Sequence, residues 1–299
     1  MRNIFFKVIF LFSITPFCLH AQDEFDFDTD FEIEEPKTFN STRIISGHSV
    51  ETLPEKTFEM RIEHRFGDIA GDNGGYQTMF GFDNVSDMRI ALEYGVTDKL
   101  MFGFGRSKGT SAPYRSLLDG FVKYRVLTQK EDGPPISLSI GGGSTFSYQE
   151  ASLDMSDVAN FPKVSHRFAY YTQLNMAYRL KDVLSVSIMP TLVHRNYVAE
   201  NDVNELFSLG TALRLKLSKK FFLLMEYYHC FHSNDFRQDE FYNGCGVALE
   251  WKTFGHNFTI NFTNSKGLGE TQFIPYTYEN WLRGQFRLGF CVSRQFSWS

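Results

Sequence analysis

Gly105-Arg106-Ser107-Lys108-Gly109 matches the GxSxG pattern of serine hydrolases. In those enzymes the serine stands on a sharp strand-to-helix turn of a parallel α/β sheet. Here the match closes a strand-like run and no helical periodicity follows it, so the agreement is one of spacing alone. His194 and Asn196, two residues apart, share one face of a strand. An enzyme acting on membrane lipid could use such a pair beside a serine, but no serine has convincing spacing to them. His229 and His232, three apart, fall on opposite faces of a strand, which argues against joint metal ligation. Cys230, Cys245 and Cys291 form no CxxC. Cys230 and Cys245 lie at similar distances from one connecting loop. A cross-strand disulfide is one reading, and a register placing them on opposite faces is the other. The sequence therefore assigns no catalytic residue, no metal and no cofactor, and an enzyme is not expected.

The informative polar residues recur on one side of alternating runs. Arg61, Arg65, Arg89, Lys123, Arg125, Arg167, Arg179, Arg214, Arg283 and Arg287, with Glu63 and Glu93, are the candidate binding residues. Arg195 and Lys216 share that side, as do Glu59, Asp119, Glu226 and Glu250. Charges at strand centres cannot face lipid cheaply, so in a membrane barrel they belong in the lumen. Two readings are open. The pairs pack and plug the lumen, or they line a water-filled, mildly basic passage.

The elements that must position them are strands. From Thr57 onward the dominant period is two. In the run 164–180, Phe168, Tyr170, Thr172, Leu174 and Met176 share one face, and Ala169, Tyr171, Gln173, Asn175 and Ala177 the other. About twelve such runs follow, at 57–66, 87–94, 100–106, 118–127, 136–149, 164–180, 183–194, 205–217, 221–232, 242–251, 257–265 and 281–298. Linkers after odd runs are long and those after even runs mostly short. This predicts an all-β, transmembrane, antiparallel up-and-down β-barrel of about 12 strands with long outer loops and short periplasmic turns. The last run is amphipathic, ends on aromatics and is expected to close against the first.

Composition agrees with that class. Phe alone numbers 32 and aromatics make up 16% of residues, which suits girdles at two lipid interfaces. Mean hydropathy is −0.26, and no later run is apolar enough for a spanning helix. Arg2 and Lys7, the apolar stretch 8–17 and Ala21 read as a signal peptide cleaved before Gln22, with Cys18 leaving in it. Eight acidic residues fall between Asp23 and Glu35, so residues 22–37 read as an acidic flexible tail. The remainder, 38–299, is the barrel domain, and its basic and acidic residues nearly balance.

The stretch Ser41-Thr42-Arg43-Ile44-Ile45-Ser46-Gly47-His48-Ser49-Val50-Glu51-Thr52-Leu53-Pro54, leading into Glu59-Met60-Arg61-Ile62-Glu63-His64-Arg65-Phe66-Gly67, resembles the opening of a Bacteroidota barrel family, domain of unknown function 5777. Leu92-Glu93-Tyr94-Gly95-Val96-Thr97-Asp98, Met189-Pro190-Thr191-Leu192-Val193-His194-Arg195-Asn196 and Phe262-Thr263-Asn264-Ser265 add to the resemblance. It implies an outer-membrane barrel and carries no substrate or catalytic residues.

The functional expectation is a narrow pore or binding barrel for small, anionic solutes. Two alternatives are an outer-membrane enzyme acting on lipid, and a docking barrel whose acidic tail recruits a periplasmic partner. Expected partners are outer-membrane lipid and the barrel-insertion machinery during biogenesis; nucleic acid is not expected. The first outer loop, 67–86, is expected to fold into the barrel mouth through Tyr76–Phe82.

Overall fold

The computed structural model describes residues 37–84, 87–109, 113–232, 234–253 and 255–297. The expected signal peptide and almost all of the acidic tail lie outside the described residues. Twelve strands form the wall: β1 Thr57–Asp68, β2 Asp87–Gly95, β3 Leu100–Lys108, β4 Ser116–Leu127, β5 Ser137–Ser147, β6 Phe168–Leu180, β7 Leu184–Arg195, β8 Glu205–Lys216, β9 Phe221–Phe231, β10 Gly244–Lys252, β11 His256–Thr263 and β12 Arg287–Ser297. Each pairs antiparallel with the next, and β12 returns to β1, with Ile62 opposite Val292, to give a closed barrel. Closure leaves no unpaired strand edge.

The two faces separate by residue type. Met60, Leu92, Phe104, Val122, Ile188, Met225, Leu249 and Ile260 are exposed on the outside. Glu59, Arg61, Glu63, Arg65, Arg89 and Glu93 are buried on the inside. This inverts the soluble pattern and fits a wall whose solvent is lipid. Among the described residues no helix is long and apolar enough to cross a membrane.

Two expected runs begin later than their periodicity predicts. Val164–Arg167 is a 3-10 turn before β6, and Trp281–Arg283 is another before β12. Arg167 consequently caps a loop, donating to the carbonyls of Ser147 and Gln149 at 3.0 and 2.7 Å. Arg283 is exposed and does not line the lumen. Cys230 points inward and Cys245 outward, and both are free thiols, so the disulfide reading fails for the geometric reason that was its alternative.

The first long loop also departs from expectation. Tyr76, Met79, Phe80 and Phe82 are exposed, and the Phe82 ring packs 4.9 Å from that of Phe66 on the outward face. An apolar turn finds an apolar surface there, and the apolar part of the lumen, around Tyr228, Phe121 and Met189, is already covered by residues 38–54 and 268–274. The segment that does fold inward is the last long loop, 264–286, where Leu268, Glu270, Thr271, Phe273 and Ile274 are buried.

Candidate functional site: a lumen closed from both ends

Residues 38–54 belong to the domain but not to its wall. They form a narrow hairpin inside the barrel. The amide of Ile44 donates to the carbonyl of Gly47, and that of Ser49 to Thr42, both at 2.9 Å. Ser46-Gly47 supplies the turn. Both limbs run to the short-turn end of the barrel. There the Asn40 amide donates to Glu250 at 2.7 Å, and the Thr52 hydroxyl to the carbonyl of Asp98 at 2.8 Å.

The wall holds this hairpin chiefly through polar groups. At the tip, the Glu226 carboxylate accepts from the amides of Ile45, Ser46 and Gly47 at 3.2, 3.0 and 3.1 Å. Three converging N–H groups satisfy the buried carboxylate. Arg61 donates to the hydroxyls of Ser41 and Thr42 at 2.6 and 3.0 Å. Lys123 donates to the carbonyls of Thr42 and Ser49 at 2.9 and 3.2 Å. Arg214 donates to the carbonyl of Thr38 at 3.0 Å, Arg65 to the Ser46 hydroxyl at 2.7 Å, and Arg125 pairs with Glu51 at 3.3 Å. Phe39, Ile44, Ile45, Val50 and Leu53 fill the space between these bonds and are fully buried.

The remaining candidates complete the wall's own ion pairs. Arg89 bridges Glu63 and Asp119, each at 2.7 Å. Glu93 accepts from the Thr42 hydroxyl at 2.7 Å and lies 3.6 Å from Arg61. Arg287 pairs with Glu279 at 2.7 Å, and Arg179 with Asp182 at 2.6 Å near the short-turn end. Of the twelve sequence-selected residues, ten are thus inward-facing, eight of them fully buried.

The long-loop end is closed by residues 264–286. Glu270 meets the hairpin, 3.6 Å from Arg43 and accepting from the His48 amide at 3.2 Å. Phe273 packs edge-on against Tyr228 at 4.8 Å. Asp202 binds Arg195 and Arg237 at 2.9 and 2.8 Å, and Arg237 donates onward to the carbonyl of Pro275 at 2.6 Å, latching the loop down. Burial alone would raise the Asp202 pKa, but hydrogen bonds and charge from Arg195 and Arg237 outweigh it and hold the carboxyl below its ordinary 3.8. Between hairpin and loop lies a polar cavity of about 10 Å³, lined by Arg43, Arg89, Asp119, Tyr171 and Glu270. That is room for about one water, not for a solute.

Residues 39–296 match the family described as a membrane bound beta barrel domain, DUF5777. The chain belongs to that family. The protein is therefore a membrane β-barrel, and the family's opening stretch coincides with the lumenal hairpin. No curated protein matches the chain. Solved structures it is similar to include the NanC porin, at 9% identity over 81% of this chain and 100% of that one with a TM-score of 0.49. An outer-membrane channel from Pseudomonas putida F1 aligns at 13% identity over 83% of this chain and 98% of that one, with a TM-score of 0.49. The KdgM porin aligns at 11% identity over 81% and 99%, with a TM-score of 0.45.

The hairpin is what the sequence reading missed. Its signal was present: a Ser-Gly turn flanked by Thr42-Arg43-Ile44 and His48-Ser49-Val50, too polar for a wall strand.

Proposed function

We propose that the protein is a gated barrel of a bacterial outer membrane, and that the hairpin 38–54 is the gate of a narrow pore for small solutes. The long loops face the cell exterior and the hairpin enters from the periplasm. A Bacteroidota source accords with the family resemblance. The observation that carries this reading is the chemistry of the hairpin's seat. Its limbs meet the wall largely through hydrogen bonds to Glu93, Lys123, Arg214, Glu226 and Glu250. Such bonds exchange for bonds to water at small net cost, whereas a wholly apolar plug would expose its surface on leaving. The apolar side chains of the hairpin then set a closed resting state.

Planar-bilayer recording tests the reading. Full-length protein is expected to be silent or nearly so, and a variant lacking residues 38–53 to show discrete conductance steps. Silence of that variant, once shown to be a folded barrel, counts against a pore.

The docking reading has its own support: the hairpin continues N-terminally into the acidic stretch 23–35, so a periplasmic partner gripping that stretch would pull on the gate. Pull-downs with and without residues 23–35 address it. An enzymatic role has less behind it. His194 bonds Glu205 and Asn196, each at 3.0 Å, on the outward face. Loss of a lipid hydrolysis in His194→Ala would reverse that judgement. Lipid and the insertion machinery follow as partners from the barrel class.

A further inference from the structure

The outward face of the wall is nearly free of formal charge. Among the described residues, its strand positions carry Arg106, Lys108, Glu205 and Arg294. Glu205 is paired with His194 at 3.0 Å, and Arg294 lies over the Phe296 ring, 5.0 Å from its centroid, near the short-turn end. Arg106 and Lys108 are different. They stand two residues apart at the long-loop end of β3, on one face, with no acidic partner among the described residues. Arg106 lies over the ring of Tyr148 at 5.6 Å.

Their height is set by the register. Arg106 is opposite Leu118, Leu118 opposite Phe146, and Phe146 opposite Phe168. That row is part of the aromatic girdle at the long-loop end, the level at which a membrane's hydrocarbon gives way to headgroups. Two adjacent cations there would meet lipid phosphate.

The wall just below them is low. In the next rows Phe104 faces Gly120, which faces Ser144 and then Tyr170; Phe102 faces Val122, which faces Gly142 and then Thr172. Gly120, Gly142 and Ser144 interrupt an outer surface built mostly from large apolar side chains. A Cβ added to Gly120 would find nothing closer than 3.8 Å, so internal packing does not require glycine there. The result is a trough between β3 and β6, running away from the cations towards the middle of the wall.

We propose that the outer wall of β3–β6 is a binding site for one phosphorylated lipid, its phosphate held by Arg106 and Lys108 and an acyl chain lying in the trough over Gly120 and Gly142. The proposal rests on the outer-membrane placement above, since it assigns the lipid to the leaflet at the long-loop end.

Native mass spectrometry of the full-length protein in mild detergent tests it, with a diphosphorylated acylated glucosamine disaccharide and its dephosphorylated form as probes. The wild type is expected to retain one phosphorylated lipid. R106Q/K108Q should weaken retention about tenfold or more, the loss of two charge-assisted contacts. Gly120→Leu should weaken retention by filling the trough while leaving both cations in place. Folding of each variant is checked by heat-modifiable electrophoretic mobility. Equal retention of the phosphorylated and dephosphorylated probes overturns the proposal, as does undiminished retention by R106Q/K108Q. Full displacement of the lipid by millimolar inorganic phosphate would reassign the cations to a free-ion site and overturn it too. Lipid retention in detergent does not depend on conductance, so a barrel that never opens can still pass this test, and a conducting one can fail it.

Discussion

Gly47 stands where the hairpin tip crosses the ring of Tyr228. A Cβ there would lie 1.8 Å from the Tyr228 hydroxyl and 2.8 Å from Cζ, well inside van der Waals contact. Gly47→Ala must therefore lift the tip or push aside a buried ring, and it is expected to raise bilayer conductance above the wild-type baseline. Glu226→Gln acts on the same tip from the other side. It keeps the shape but replaces an anion that accepts from three amides by a group with one acceptor oxygen, at a cost of roughly 1.5–3 kcal/mol. Its conductance should rise too, with the barrel's heat-modifiable mobility unchanged. A silent, folded Glu226→Gln barrel would mean the tip is held by its apolar neighbours instead. At this scale the sequence was only half readable. Glu226 and Arg61 were recognisable as inward-facing because lipid excludes them from the other side. Their partners were not, since Ser41, Thr42 and Ser46 are residues of any polar loop and nothing local says that the loop is inside.

Strands were the legible elements, because lipid demands an apolar residue at every second position along a whole wall. β1, β2, β7 and β8 begin and end within two residues of their expected limits. The loops were not legible, and the reason is physical. Tyr76–Phe82 and Leu268–Ile274 are both apolar loop segments, but one finds the outward Phe66 and the other a lumen holding Tyr228. Those surfaces are assembled from strands far away in sequence. Replacing Phe80 and Phe82 by Ser should accordingly leave conductance unchanged, a direct contrast with a mouth-closing role for that loop. The latch on the last loop gives the opposite expectation. Asp202→Asn leaves Arg195 and Arg237, both buried, sharing an uncharged amide. Losing one partner of such a pair costs roughly 2–5 kcal/mol, so cleavage by added protease within 264–286 should accelerate. The pH dependence has a definite sign. The folded carboxyl sits below its ordinary 3.8, so the latch is fully present above that value and is lost only as pH falls through the lower folded one. Loop cleavage measured stepwise should stay flat from neutral pH down to about the ordinary carboxylate range. Release at mildly acidic pH would show that another group controls the loop.

The whole molecule decides what an opened lumen would prefer. The surplus of basic side chains among the candidate residues suggested an anion path. With every inward strand position assigned, that surplus shrinks. Arg61, Arg65, Arg89, Lys123, Arg125, Arg179, Arg195, Arg214, Lys216, Lys252 and Arg287 face Glu59, Glu63, Asp68, Asp87, Glu93, Asp119, Glu226 and Glu250 across the same bore. Many already neutralise one another, as Arg89 does with Glu63 and Asp119. The hairpin adds Arg43 and Glu51, one of each sign, so removing it leaves the balance where it was. The groups it uncovers are nevertheless unequal in their pairing. Lys123 and Arg214 lose their carbonyl partners, Arg214 keeping the Ser185 hydroxyl, whereas Glu93 keeps Arg61 nearby and Glu226 loses three amides. The barrel lacking residues 38–53 should therefore be only weakly selective for anions, and Lys123→Gln with Arg214→Gln in that background should turn it towards cations, since Glu226 and Glu250 would remain. Reversal potentials under a salt gradient check this. A strongly anion-selective barrel that stays so after both substitutions would place the selective residues elsewhere, in the long loops above the wall.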